Sequence, residues 1–576
     1  MKDLKKNLKF ILKYAYKDRI KIILLSFLLI FNIIFSIVTP IMSAKIVVAL
    51  TSDNYMQIII LGLIIFLIGG CSSLFEIIFR NGMIKVEKNI LSLLEVDIGR
   101  NILKLENSCL DEKGSGLFIH RISNDTYRIS SVFRSLIENI SYIFEYIGIL
   151  VAIFTVNKLV FLYVIFMITV LWMIEKARNK RLNEDDKKSR SSNERVSGFV
   201  SELVRGARDI KMLNSEDDFL KELSFRIEDA NKNEMKMRCT NWKFKLAGWE
   251  FSKFFNFMLI VLLALMMKYK FIVATTALVL YNYANRIDGV VWFMGYFLEY
   301  IKDFNLSCER VSDICDDKKF RKEKFGKKHL GKLNGDFEFK NVSFSYNDKL
   351  VLNDLSFKIN ANETVAFVGR SGAGKTTIFN LLCKMYDVQS GIISMDGEDI
   401  NNLDKDTIRG NITIISQSPY IFNMSIKDNL KLVKSDLTDE EMINACHIAC
   451  LDDFINELPN GYDTVIGEGG VNLSGGQKQR LAIARALIQK TEIILFDEAT
   501  SALDNETQNK IQQAIDNMKN EYTILIIAHR LSTIINCDRI LYLDNGKIIA
   551  SGTHNELLKN CREYKKLYES EISKND

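Results

Sequence analysis

The chain has 576 residues, too many for one compact core, and by length alone would hold about three or four soluble domains. Its 48% hydrophobic and 26% charged residues resemble an ordinary soluble protein only on average, because the apolar residues crowd into residues 20–300. The net charge of +5 is modest, and its lysines and arginines are scattered through loops without forming a stripe, which argues against a nucleic-acid partner.

The basic start, residues 1–21, leads into the apolar run Ile22 to Thr39. That run exceeds the ~7–15 residues of a signal-peptide core, and more spans follow, so it reads as a first membrane helix. Six spans are predicted near residues 20–49, 56–79, 135–156, 158–176, 247–268 and 271–301, each near the ~20 residues a helix needs to cross a bilayer. The connections after the first, third and fifth spans are very short, whereas those after the second and fourth are long, helical in pattern and rich in Lys and Arg. The positive-inside rule then places both termini in the cytosol, with a multi-pass domain in the cytoplasmic membrane.

Of the prolines Pro40, Pro419 and Pro459, only Pro40 falls within a span. Its ring would break the helical ladder at Phe35 to Thr39; a simple helix end is the plainer alternative. Ionisable groups inside spans each need a reason. At ~1.5 Å per residue, Glu145 lies roughly 18 Å from the outer connection at Asn157, inside the ~30 Å hydrocarbon layer. Glu76, Glu138, Glu250 and Asp288 fall near the inner boundary. Asn282, Asn285, Arg286 and Gly289 recur at helical spacing and form a polar face expected to line a path. The competing reading is that these groups face a water-filled vestibule, or pair as Glu76 and Arg80 could at i, i+4. Direct contact with cargo would favour a cationic or amphipathic molecule.

The ten cysteines form no CxxC pair. Cys446, His447 and Cys450 come nearest to a metal pattern, but they read as packed residues of a helix in a reducing compartment.

Residues 1–318 thus form a membrane domain, the charged stretch 319–334 a linker, and residues 335–576 a soluble domain. In the soluble part, Gly369-Arg370-Ser371-Gly372-Ala373-Gly374-Lys375-Thr376-Thr377 fits the pattern GxxxxGK[ST], between the apolar strand Thr364 to Val368 and the helix Ile378 to Cys383. Its glycines let backbone N–H groups wrap phosphates, Lys375 neutralises the β and γ phosphates, and Thr376 can hold Mg²⁺. Ile493 to Phe496 is an apolar strand that ends in Asp497 and Glu498. Asp497 suits the Mg²⁺ shell and Glu498 suits activation of the attacking water. Between them, Leu473-Ser474-Gly475-Gly476-Gln477 opens a helix over Lys478 to Ile488, a second phosphate cradle. One nucleotide needs one cradle, so the second implies ATP held at the interface of a dimer.

In this order the motifs resemble those of the ABC transporter family, and the resemblance covers the whole chain. The resemblance implies that Tyr346 stacks on adenine, that Gln417 senses Mg²⁺ and the membrane half, that Asp504 of Ser501-Ala502-Leu503-Asp504 lies across the dimer, and that His529 contacts the γ-phosphate. The stretch 464–470 is similar to the X-loop of exporters, and Leu110 to Asp125 and Ser201 to Phe219 to their two coupling regions. A fused membrane domain and cassette looks like one half of an exporter. The implied fold is an all-α polytopic membrane domain of six long helices followed by an α/β P-loop NTPase domain of the ABC type. ATP and Mg²⁺ are the implied cofactors; membrane lipid, a second half-transporter and an unidentified cargo are the implied partners. The complete motif set favours a homodimer, while a diverged partner half remains an alternative. An ATP-gated channel or sensor of the same architecture is another, as is transport in the inward direction. Soluble cassette proteins of DNA repair or translation conflict with the six spans. The short start disfavours exporters that trim their peptide cargo with an N-terminal protease domain.

Overall fold

The computed structural model describes the chain except residues 1, 52–54, 288, 332, 347–348, 418, 468–469, 498–511, 513–514, 517, 520, 528–533 and 576. It divides into two compact units, one of Met1–Leu103 with Gly114–Phe320 and one of Lys104–Lys113 with Arg321–Asp576.

The first unit is helical. Helix α1 (Lys2–Ala15) precedes α2 (Arg19–Thr51) and α3 (Tyr55–Ile102); α4 (Asn107–Lys113) belongs to the other unit; α5 (Ser115–His120), α6 (Thr126–Val156), α7 (Lys158–Arg205), α8 (Ala207–Met212), α9 (Glu216–Lys268), α10 (Ala274–Ile287) and α11 (Gly289–Ile314) complete it. Among the described residues, five helices are long and apolar enough to cross a membrane: Leu4–Leu50, Tyr55–Ile102, Ser115–Val156, Lys158–Arg205 and Glu216–Lys268. The sixth expected span falls on α10 and α11, on either side of residue 288, which lies outside the described residues. Helices α3 and α7 have 48 residues and α9 has 53. At ~1.5 Å per residue each is more than twice as long as a ~30 Å hydrocarbon layer. The long connections, helical in pattern, are in part continuations of these helices.

Side-chain chemistry changes along these helices. The apolar end of α7 packs with α6, α9 and α10 through Ile149, Val160, Val164, Leu171, Leu259, Leu263 and Leu280. Further along, α7 and α9 are joined by a polar ladder, with Thr240 Oγ1 donating to Asp185 at 3.0 Å, Asn233 Nδ2 donating to Ser192 Oγ at 2.8 Å, and Arg195 paired with Asp229 at 3.3 Å.

The second unit is built on strands β1 (Phe337–Tyr346), β2 (Lys349–Ile359), β3 (Thr364–Gly369), β4 (Ser390–Met395), β5 (Glu398–Asp399), β6 (Ile412–Ile415), β7 (Met424–Ser425), β8 (Val465–Ile466), β9 (Ile493–Asp497), β10 (Thr523–Ile527), β11 (Arg539–Asp544) and β12 (Lys547–Gly552). The main sheet runs β12-β11-β3-β10-β9-β6, parallel except for β12, and an antiparallel sheet runs β2-β1-β4-β5. Every residue of β3, β9 and β10 is buried, as their apolar runs Val365–Val368, Ile493–Phe496 and Ile524–Ile527 require of central parallel strands covered on both faces.

The charged stretch expected to be a solvated linker is anchored at several points. Arg409 makes a two-pronged pair with Glu323 at 2.7 and 3.1 Å, and its guanidinium also donates to the carbonyls of Cys383 and Lys384. Glu323 N donates to Lys104 O at 2.9 Å, and Leu333 is buried. The lysine and arginine pattern hid these contacts because the anchoring groups are single residues among many charges. Arg409→Ala should destabilise this unit by about 3 kcal/mol, because it strands the largely buried Glu323 carboxylate. The check is the shift of the unit's unfolding transition in urea.

Candidate functional site

The C-terminal ends of parallel strands are where open α/β sheets place their ligands. Here β3 delivers the glycine-rich loop, β9 delivers Asp497, and β6 delivers Gln417 two residues after its end. Strand β10, in register with β3 and β9, leads to His529; Glu498, Asp504 and His529 lie outside the described residues.

The loop is shaped by glycine. Gly372 and Gly374 have φ of 81° and 102°, which L side chains rarely adopt, and a Cβ on Gly374 would come within 2.6 Å of Leu352 Cδ2. Gly374 is the N-cap of α12 (Lys375–Leu382), so the loop ends at a helix N-terminus whose first N–H groups have no helical partner. Lys375 folds back so that Nζ donates to the carbonyls of Gly369 at 2.9 Å and Arg370 at 3.1 Å. Thr376 Oγ1 lies 3.2 Å from Asp497 Oδ1, with the carboxylate buried. A hydroxyl and a carboxylate set together are the hard oxygen donors that Mg²⁺ takes, so the residues fit this ion. Arg370 and Ser371 are exposed on the loop and Thr376 on the first turn of α12, while Ala373 and Thr377 are buried.

Ser474 and Gln477 form a reciprocal capping box, Ser474 N to Gln477 Oε1 at 2.8 Å and Gln477 N to Ser474 Oγ at 3.2 Å, at the start of the helix Gly475–Gln489. Leu473 is buried, which anchors the turn while Gly475 and Gly476 open the helix. The same helix reaches the segment after β6 through residues that carried no signal in the sequence. Gln479 Nε2 donates to Gln417 O at 3.3 Å, and Arg485 donates to the carbonyls of Asn429 and Tyr420 at 3.1 and 3.0 Å.

Tyr346 stands edge-on to Phe344 and Tyr386 at 4.8 and 5.1 Å and accepts from Asn380 of α12 at 3.3 Å. Tyr386 donates its hydroxyl to Asp111 of α4 at 2.6 Å. Burial, followed by this hydrogen bond and the Asp111 charge, pushes the Tyr386 hydroxyl well above the ordinary tyrosine range. Tyr346, Tyr386, Asp111 and Glu106 line a cavity of about 610 Å³. The expected first coupling stretch, Leu110 to Asp125, is therefore divided between the two units, the chain passing from one to the other between Lys113 and Gly114.

The helical unit holds its own polar cavity, of about 400 Å³, lined by Asn32, Ser36, Ser72, Glu76, Arg80, Glu138 and Glu145 together with Arg286. Glu76 pairs with Arg80 at 2.7 Å, as the i, i+4 spacing allows, and Arg286 lies 3.7 Å from Glu145. Ser36 Oγ donates to Glu145. Asn282 and Asn285 do not line this cavity, Gly289 faces the Tyr146 hydroxyl, and Glu250 pairs with Lys253 at 2.8 Å; Asp288 lies outside the described residues.

Cys446 is buried with its thiol pushed up to about 12 by desolvation, while His447 pairs with Asp452 at 2.5 Å and Cys450 sits past the helix end with φ of 56°. Among the described residues no group of three or more His, Cys, Asp and Glu could hold a metal ion.

Known proteins share this arrangement. Residues 22–283 match the family model for the ABC transporter transmembrane region, and residues 352–501 match the one for ABC transporters. The ATP-dependent lipid A-core flippase of Legionella pneumophila is 30% identical over 498 residues, 84% of this chain and 82% of the relative. The chain belongs to the ABC transporter family. The flippase of the same name from Haemophilus influenzae is 48% identical over 242 residues, which cover 42% of this ABC transporter chain and only 41% of the relative. A bacterial Atm1-family ABC exporter with ATP bound has the same fold, with a TM-score of 0.85 over 96% of this chain and 98% of that one at 24% identity.

The capping box ties the turn Leu473–Gln477 of this ABC transporter to its helix. Ser474→Ala should cost about 1 kcal/mol of helix stability, read as faster amide exchange over residues 475–480, with Ser474→Thr close to the parent.

Proposed function

We propose that this chain is one half of an exporter that uses ATP hydrolysis at a cassette dimer interface to move a cargo outward across the cytoplasmic membrane by alternating access, its cassette and both termini in the cytosol. The observation that carries the reading is the meeting of Thr376 with Asp497 beside the glycine-rich loop, in a chain that also bears membrane-spanning helices.

In this reading the loop amides and Lys375 hold the phosphates of ATP, Tyr346 holds its base, and the turn Leu473–Gln477 caps a nucleotide bound by a second copy, beside the partner-facing Asp504. Thr376, Asp497 and Gln417 would hold Mg²⁺, which neutralises charge on the transferring phosphoryl group. Glu498 takes a proton from the attacking water, and His529 donates toward the γ-phosphate. Moving the access equilibrium from 1:99 to 99:1 requires ~5.5 kcal/mol of differential binding, within reach of closure around two nucleotides. The chain purified alone in lipid should hydrolyse ATP in a Mg²⁺-dependent way, and Glu498→Gln should lower the rate by at least about a hundredfold. Silence from a folded, ATP-binding chain would point to a different partner half or to an obligatory cargo.

The membrane cavity suggests the cargo. It holds the carboxylates of Glu76, Glu138 and Glu145 and the guanidiniums of Arg80 and Arg286, and Glu138 is the acid left over once the two pairs are made. A cationic, amphipathic molecule balances that charge, with its apolar part against Phe35 and Phe79 of the cavity wall. Stimulation of ATPase by such compounds should fall about tenfold in Glu138→Gln, the loss of one charge-assisted contact. Unchanged stimulation would remove the cationic class.

A further inference from the structure

Pro40 lies within the continuous helix α2. Proline has no N–H, so the carbonyl of Ser36, four residues earlier, does not receive the amide that a regular helix would supply. At membrane depth such a carbonyl needs a donor from a neighbouring helix, a side chain or ordered water. The structure brings one from another helix. Arg286 of α10 donates through Nη1 to Ser36 O at 2.8 Å and to Ser36 Oγ at 2.5 Å. One helical turn earlier in α10, the Tyr283 hydroxyl donates to Ile37 O at 2.7 Å, and within α2 Thr39 Oγ1 donates to Phe35 O at 2.6 Å. Glu145 balances the guanidinium from α6 at 3.7 Å.

We propose that Arg286 is the positioning residue of a hinge in α2, its guanidinium giving the Ser36 carbonyl the donor that residue 40 lacks. A backbone amide is fixed by its own helix. Arg286 belongs to a different helix, its side chain is 40% exposed, and it lines the polar cavity, so its bond to Ser36 can be made and released as α2 and α10 move. Tyr283, by contrast, is fully packed among Ile149, Ile153 and Leu280 and stays as the fixed neighbour of the movable contact. The ladder of α2 therefore has one place where it yields, and that place is set by a charge pair shared by α6 and α10. The use of this hinge in transport rests on the exporter reading; the clamp itself does not.

The decisive measurement is hydrogen–deuterium exchange of the full chain in lipid nanodiscs, comparing the parent, Pro40→Ala, Arg286→Gln and the double variant. The Pro40→Ala substitution restores the missing N–H, so the clamp becomes redundant. With Pro40 in place, Arg286→Gln should speed exchange of residues 36–44 by about tenfold, and in the Pro40→Ala background by less than about twofold. Equal acceleration in both backgrounds, or none in either, overturns the proposal. Should Pro40→Ala not fold, Ser36→Ala decides: it removes the hydroxyl and keeps the carbonyl, so exchange near the parent's supports the clamp and acceleration matching Arg286→Gln overturns it. ATP added to Glu498→Gln should change exchange of the same segment with Pro40 present and leave it unchanged once Pro40→Ala is added; no change with Pro40 present overturns the hinge. Absence of ATPase activity in the parent, with the clamp result intact, would count against a self-sufficient exporter and leave the clamp standing.

Discussion

A backbone N–H or C=O group inside hydrocarbon has no water to turn to, and leaving one unpaired costs several kcal/mol. The helical unit is organised around that constraint. Its spans are continuous helices because helices satisfy their own backbone, and their apolar ends pack chiefly through Leu, Ile and Val. Where the helices run beyond the length of a bilayer they are joined by polar pairs, as in the Asp185, Ser192 and Asp229 ladder between α7 and α9. Pro40 is the break in this rule, and the surrounding helices answer it with side chains. The polar residues Ser36, Tyr283, Arg286 and Glu145 are thus parts of one backbone repair as well as the edge of a cavity.

The cassette meets the same demand with a sheet. Its central strands satisfy one another through the parallel ladder and bury both faces, so polar chemistry is confined to where the ladder stops. Gly369 to Gly374, Asp497 and Gln417 all sit at that edge because β3, β9 and β6 point the same way. The glycines there have to be glycine for two separate reasons: positive φ at Gly372 and Gly374, and the proximity of Leu352 to Gly374.

The parts legible in the sequence were those encoded by local spacing. The loop Gly369–Thr377 and the strand ending at Asp497 lie where composition and pattern placed them, and the i, i+4 pair of Glu76 and Arg80 forms. The capping box Ser474 to Gln477 is a local signal of the same kind. Contacts across long separations left no such trace. Arg286 was visible as part of a polar face, but nothing in the sequence ties it to residue 36, 250 positions away. The face it was assigned to separates in the structure: Arg286 turns to the cavity, while Asn282 and Asn285 do not, because α10 passes α2 with only part of its polar side facing the cavity. Glu323, read only as part of the charged stretch 319–334, and Arg409, which carried no signal, anchor the segment that leads into the cassette.

The short helix α4 completes the cassette unit although it is encoded far upstream, with Asp111 and Tyr386 separated by 275 residues. At a synthesis rate of about 5–20 residues per second, α4 leaves the ribosome roughly 15–55 seconds before the tyrosine it binds exists. A fragment starting at residue 321 would keep Tyr386 and lose Asp111, the acceptor of its hydroxyl.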